Sequence, residues 1–171
     1  MDRIKRLDVE YNGERVGALA LTPLKCAAFE YDGGWLQNGF SVSPLSLPLQ
    51  KKGFIPKYDP FDGLFGVFSD SLPDGWGRLL VDRFLLSKGC DPVTADCMSR
   101  LSVIDKNGMG ALSYHPSEEF FSQYDSHDFD RLAIECKKIL ETDTCGDLDE
   151  LFALGGSSGG ARPKIYTRIG T

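Results

Sequence analysis

One segment of the chain concentrates residue types able to meet a phosphate group: Gly155-Gly156-Ser157-Ser158-Gly159-Gly160-Ala161-Arg162-Pro163-Lys164. Successive glycines let a backbone turn its amide N–H groups onto anionic oxygens, and a lysine adds a point charge. The pattern is not a Walker A loop, because no glycine precedes Lys164 and Ile165 follows where Ser or Thr belongs; nor is it G-x-G-x-x-G. Read alone, the segment fits a solvent-exposed turn better, with Ser157 and Ser158 as surface hydroxyls open to phosphorylation.

Other chemistry-bearing residues are more scattered. Asp59, Asp62, Asp70 and Asp74 cluster among aromatic residues, as carboxylate catalysis would require, but their places in turns and at a helix start suit capping. His115 and His127 have no Ser or Cys placed to form a nucleophilic triad. Cys26, Cys90, Cys97, Cys136 and Cys145 are odd in number and lack a C-x-x-C pair, so reduced and mostly buried thiols are expected, not a disulfide framework or a zinc site. Trp35 and Trp76 read as core anchors. Arg78 and Arg83 read as a solvated helix face, with phosphate contact as the alternative.

Elements must position these groups. Ile4, Leu7, Val9 and Tyr11, apolar among polar residues and close to alternation although Leu7 breaks the phase, the Asn12-Gly13 pair, and apolar stretches at 16–21 and 25–31 predict a small N-terminal antiparallel sheet. Residues 41–60 carry four prolines and are expected to be extended and packed, not regular. A helix is predicted from Trp76 to Lys88, stopped by Gly89. Another is predicted from the Asp91-Pro92 cap to about Val103. A turn at Asn107-Gly108 and a short strand from Met109 to His115 follow. The most regular helix has Ser126 as its cap and Phe129, Leu132, Ala133, Cys136, Ile139 and Leu140 as its apolar face. A shorter helix at 147–154 leads into the glycine-rich segment, and Ile165 to Ile169 alternates like a strand.

The chain has 171 residues, 42% of them hydrophobic and 26% charged, with net charge −6. That is the composition of a folded domain and excludes disorder over most of the length. An isoelectric point near 4.9 argues against direct nucleic-acid binding through bulk charge. No apolar run is long enough for a membrane span, and Met-Asp-Arg-Ile-Lys-Arg at the start is no signal peptide. A cytoplasmic protein is expected.

Four segments in order carry a resemblance: Pro44-Leu45-Ser46-Leu47-Pro48-Leu49; Phe68-Ser69-Asp70-Ser71-Leu72-Pro73-Asp74-Gly75-Trp76-Gly77-Arg78; residues 101–112 around Asp105-Lys106-Asn107-Gly108; and 155–164. Together they resemble the N-terminal part of the HipA family, the serine/threonine kinase toxins of bacterial toxin–antitoxin systems. The resemblance implies an α+β fold: a small antiparallel sheet, a helical segment, and part of a kinase-like N-lobe ending in the Gly-rich loop. It divides the chain into an N-terminal subdomain, 1–115, and a part, 116–171, holding the helical segment, the loop and the start of the kinase core. It makes Gly155, Gly156, Ser158, Gly159, Gly160 and Lys164 the phosphate-side residues and Ser157 the autophosphorylated serine. A phosphate there adds nearly two charges, enough to reorder a glycine loop.

The family's catalytic aspartate, His-x-Lys-Asn-like segment and Mg²⁺-binding acid belong to a C-terminal lobe, and none is found up to Thr171. The expectation is therefore no phosphotransfer by residues 1–171 alone, with ATP and Mg²⁺ entering only in a complete kinase. Implied partners are a helix-turn-helix antitoxin, the kinase C-terminal lobe and, for the full kinase, a protein substrate such as an aminoacyl-tRNA synthetase. Two alternatives stand beside this: a separate binding module that regulates a kinase chain in trans, and an unrelated small-molecule-binding α+β domain.

Overall fold

Asn12 and Gly13 both adopt positive φ, 51° and 80°, the geometry that lets a two-residue turn follow the twist of a hairpin. In the structure, a computed structural model describing residues 4–104, 110–116, 129–141, 148–155 and 160–164, that turn joins β1 (Arg6–Tyr11) to β2 (Glu14–Leu21). With β3 (Ala27–Tyr31), β4 (Gly53–Phe54) and β5 (Leu112–His115), they form an antiparallel sheet in the order β4-β3-β2-β1-β5. The outer strands are short, and Pro116 follows β5, which limits pairing with further strands. The helices among the described residues are α1 (Trp35–Asn38), α2 (Gly66–Ser69), α3 (Gly75–Ser87), α4 (Cys97–Ile104), α5 (Phe129–Glu141) and α6 (Leu148–Gly155). The α+β expectation holds.

A β-bulge shapes the sheet. Val9 lies opposite Gly17 but Glu10 lies opposite Arg15, so Val16 is the extra residue and both Val16 and Gly17 are buried. A Cβ on Gly17 would sit 2.3 Å from the Glu30 carbonyl oxygen and 2.8 Å from the Phe29 ring. The strands' inner face, with Leu7, Val9, Leu19 and Phe29, packs with Phe68 of α2 and with Met98 and Leu101 of α4 in one core. Buried within it, the Ser71 and Tyr114 hydroxyls bond at 2.7 Å, which satisfies two polar groups that burial would otherwise penalise.

The described residues of 2–72 and 95–118 make one compact unit around this sheet, and those of 73–94 and 119–171 make a second. In the second unit Phe84 of α3 stacks on Phe152 of α6, with centroids 6.2 Å apart. The fully buried Glu150 carboxylate pairs with Arg131 of α5. A buried carboxylate needs such a partner.

Several expectations are corrected in detail. Residues 41–60 are more ordered than prolines suggest: Ser43 and Leu47 bridge across a tight turn, and Gly53–Phe54 joins the sheet. Tyr31 fixes that turn, donating to the Leu47 carbonyl at 2.7 Å and accepting from Val42 N–H at 3.1 Å. Asp91 does not start a helix. Its carboxylate accepts from Val93 N–H at 2.9 Å to close a turn, and α4 begins at Cys97 behind Asp96, which accepts from Ser99 N–H at 2.9 Å. Two aspartates competed as caps, and only the second directly precedes apolar residues that are buried, Cys97, Met98, Leu101, Val103 and Ile104. On α5, Leu132 and Ile139 are buried, but Ala133 and Leu140 are exposed. Asn107-Gly108, Met109, Ser126, and Ile165–Ile169 lie outside the described residues.

Candidate functional site

α3 ends as its sequence requires: Gly89 has φ 73°, and Gly89 and Cys90 N–H donate to the Leu86 and Leu85 carbonyls at 2.9 and 2.8 Å, closing a Schellman motif. Its beginning is unusual. Asp74 occupies the N-cap with extended backbone (φ −108°, ψ 173°), yet its side chain makes no bond to its own helix. Its Oδ1 instead accepts from Gly160 N–H at 2.7 Å. Trp76 N–H donates to the Gly160 carbonyl at 2.8 Å, so both backbone groups of Gly160 are engaged by the first turn of α3.

This approach depends on absent side chains. Gly75 has φ 49°, and a Cβ there would lie 2.4 Å from both the carbonyl carbon and oxygen of Gly160. Gly155, the buried last residue of α6, would place a Cβ 2.1 Å from the Lys164 carbonyl oxygen and 3.4 Å from Trp76 Nε1. The two ends of the glycine-rich segment, Gly155 and Gly160–Lys164, therefore meet each other and the start of α3. The Trp76 indole is 1% exposed, and its Nε1–H has no hydrogen-bond partner among the described residues.

Of the residues expected on the phosphate side, Gly155, Gly160 and Lys164 are thus brought together. Gly156, Ser157, Ser158 and Gly159 lie outside the described residues. Gly160, Arg162 and Lys164 are exposed, which leaves two cationic side chains on an arm that begins at the positive end of the α3 dipole. Pro163 and Lys164 also border a groove of about 350 Å³ with Leu132, Cys136, Lys137 and Leu140 of α5.

Asp62 sits in a turn with φ 51°, and Asp70 is the C-cap of α2. His115 Nε2 is 3.4 Å from Glu10 Oε2 across the β1–β5 pair; His127 and Cys145 lie outside the described residues. Cys26, Cys90, Cys97 and Cys136 are free thiols. Burial, then the nearby Asp96 charge, pushes Cys97 up to about 11, and burial followed by Glu135 raises Cys136, so neither has the depressed pKa of a nucleophile. Burial likewise raises the Tyr114 phenol. Among the described residues no group of three His, Cys, Asp or Glu side chains is arranged to hold a metal ion, and no helix is long and apolar enough to cross a membrane.

Sequence reasoning preferred a capping role for Asp74 over carboxylate catalysis and took Trp76 as a core anchor, linking neither to the glycine-rich segment. The contact of Asp74 with Gly160 spans 86 positions and that of Trp76 nearly as many, and no local pattern announces either. A family model described as HipA N-terminal domain matches residues 7–115. No curated protein matches the chain.

Proposed function

The chain belongs to the HipA N-terminal domain family, and from that premise we propose that it is the regulatory and structural N-terminal portion of a HipA-like serine/threonine protein kinase toxin. The observation that carries this is the anchoring of Gly155 and Gly160–Lys164 at the first turn of α3, which supports a preorganised phosphate-side loop. Gly156, Ser157, Ser158 and Gly159 would complete that loop, with Ser157 as its phosphorylated residue. The groups that hold Mg²⁺ and orient the acceptor hydroxyl belong, in this reading, to a C-terminal lobe acting in cis or in trans, and ATP binds only when both lobes are present. A helix-turn-helix antitoxin is the natural protein partner, an aminoacyl-tRNA synthetase the type of substrate, and the cytoplasm the location.

The purified chain with Mg-ATP is expected to transfer no phosphate. Added to the C-terminal lobe of a HipA-like kinase, it is expected to become phosphorylated, with mass spectrometry placing the phosphate on Ser157 and Ser157→Ala abolishing it. Transfer by the chain alone, or none in the mixture, overturns this reading. A second reading is a stand-alone module that regulates a kinase chain in trans, since the family model that matches, over residues 7–115, is that of the N-terminal domain. It predicts tight binding to a complete HipA-like kinase and a lowered rate.

A further inference from the structure

We propose that Asp74 is the positioning residue of the glycine-rich segment: its carboxylate, unused at its own helix, holds the Gly160 amide and fixes the Gly160–Lys164 arm at the start of α3. An aspartate at an N-cap ordinarily accepts from the N–H groups of the helix's first turn. Asp74 has the backbone conformation for that and makes no such bond. Its oxygen is 2.7 Å from Gly160 N, the length of a charge-assisted bond.

The geometry around this bond is prepared. Trp76 N–H takes the Gly160 carbonyl, and Gly75 carries the positive φ and lacks the Cβ that would collide with Gly160. The same turn reaches the other end of the segment, since the Trp76 indole borders Gly155. Both ends of the loop are thus referred to three consecutive residues. Asp74 itself is exposed and stands outside the packing of Leu80, Phe84 and Phe152, so its loss acts on the arm and leaves the fold of this unit intact. The anchoring stands on these distances alone; its consequence for phosphotransfer rests on the loop reading proposed above.

Hydrogen exchange on the full chain tests the anchoring. Asp74→Ala is expected to speed exchange of the Gly160 amide about tenfold, the loss of one charge-assisted bond, with the amides of Val81 to Ser87 unchanged. Asp74→Asn keeps an acceptor oxygen and is expected to stay within about threefold of the parent. Unchanged Gly160 exchange in Asp74→Ala, an Asn variant as fast as the Ala variant, or faster exchange throughout α3 overturns the proposal. In the mixture with the kinase C-terminal lobe, Asp74→Ala is expected to raise KM for ATP about fivefold with little change in kcat, and Asp74→Asn to restore it. Altered exchange with unaltered transfer kinetics overturns the positioning role. Absence of transfer with every form, the parent included, marks failure of the kinase reading and leaves the exchange data to decide on Asp74.

Discussion

Two aspartates of the same chain illustrate how little a side chain's identity settles. Asp96 spends its carboxylate on its own helix, accepting from Ser99 N–H, whereas Asp74 spends its own on a residue 86 positions away. The neighbouring Cys97 shows what burial does to a titratable group. Its thiol is raised from 9.0 to about 11, by burial first and the Asp96 charge second. Below pH 9 the thiol is protonated in folded and unfolded chains alike, and its contribution to stability is complete. Between about pH 9 and pH 11 the unfolded chain ionises first, so that contribution is lost as pH rises. A shift of this size corresponds to about 3 kcal/mol in full, of which about 2 kcal/mol is lost across that window. Urea denaturation across that window is expected to show the parent losing about that much more stability than Cys97→Ala, which lacks the titration; parallel pH profiles would contradict it.

At the level of elements, the bulge in β2 decides which residues face the core. Without it, alternation would turn Val16 outward; with it, Val16 and Gly17 both point in. The price is a position that admits no side chain. Gly17→Ala is expected to cost about 2 kcal/mol or more, since its methyl must displace the Phe29 ring and the Glu30 carbonyl. Gly53→Ala on β4 meets nothing within 4 Å and is expected to change stability by no more than about 0.5 kcal/mol. Chemical denaturation of both variants checks the contrast, and equal effects would show that space is not the cause. α5 makes a related point: its apolar repeat is legible, but Ala133 and Leu140 remain exposed while Glu135 is buried with Lys138 as its partner.

The molecule as a whole consists of two compact units interleaved along the chain. Each contains one of the two tryptophans, Trp35 in the sheet unit and Trp76 in the helical one. Trp35 sits in a core with aromatic contacts to Tyr11 and Phe40. Trp76 sits beside glycines with its indole N–H unpaired among the described residues, a destabilising circumstance for a buried donor. The Trp76 probe, read in Trp35→Phe, is therefore expected to report unfolding at lower urea than the Trp35 probe, read in Trp76→Phe. Coincident transitions would mean that the units unfold as one.

Features that depend on neighbours a few residues apart are legible in the amino-acid order. The Asn12-Gly13 hairpin, the Gly89 stop of α3 and the existence of α5 follow from local backbone preference and periodicity, and the ordered segments from Leu45 to Leu112 announced the family. Long-range packing selects Asp96 over Asp91 to open α4, uses Tyr31 to order the proline-rich segment, and brings Asp74 to Gly160. Each of these is a choice among several available hydrogen-bond partners of similar strength. Local sequence offers the donors and acceptors; only the packed chain brings one pair within 3 Å.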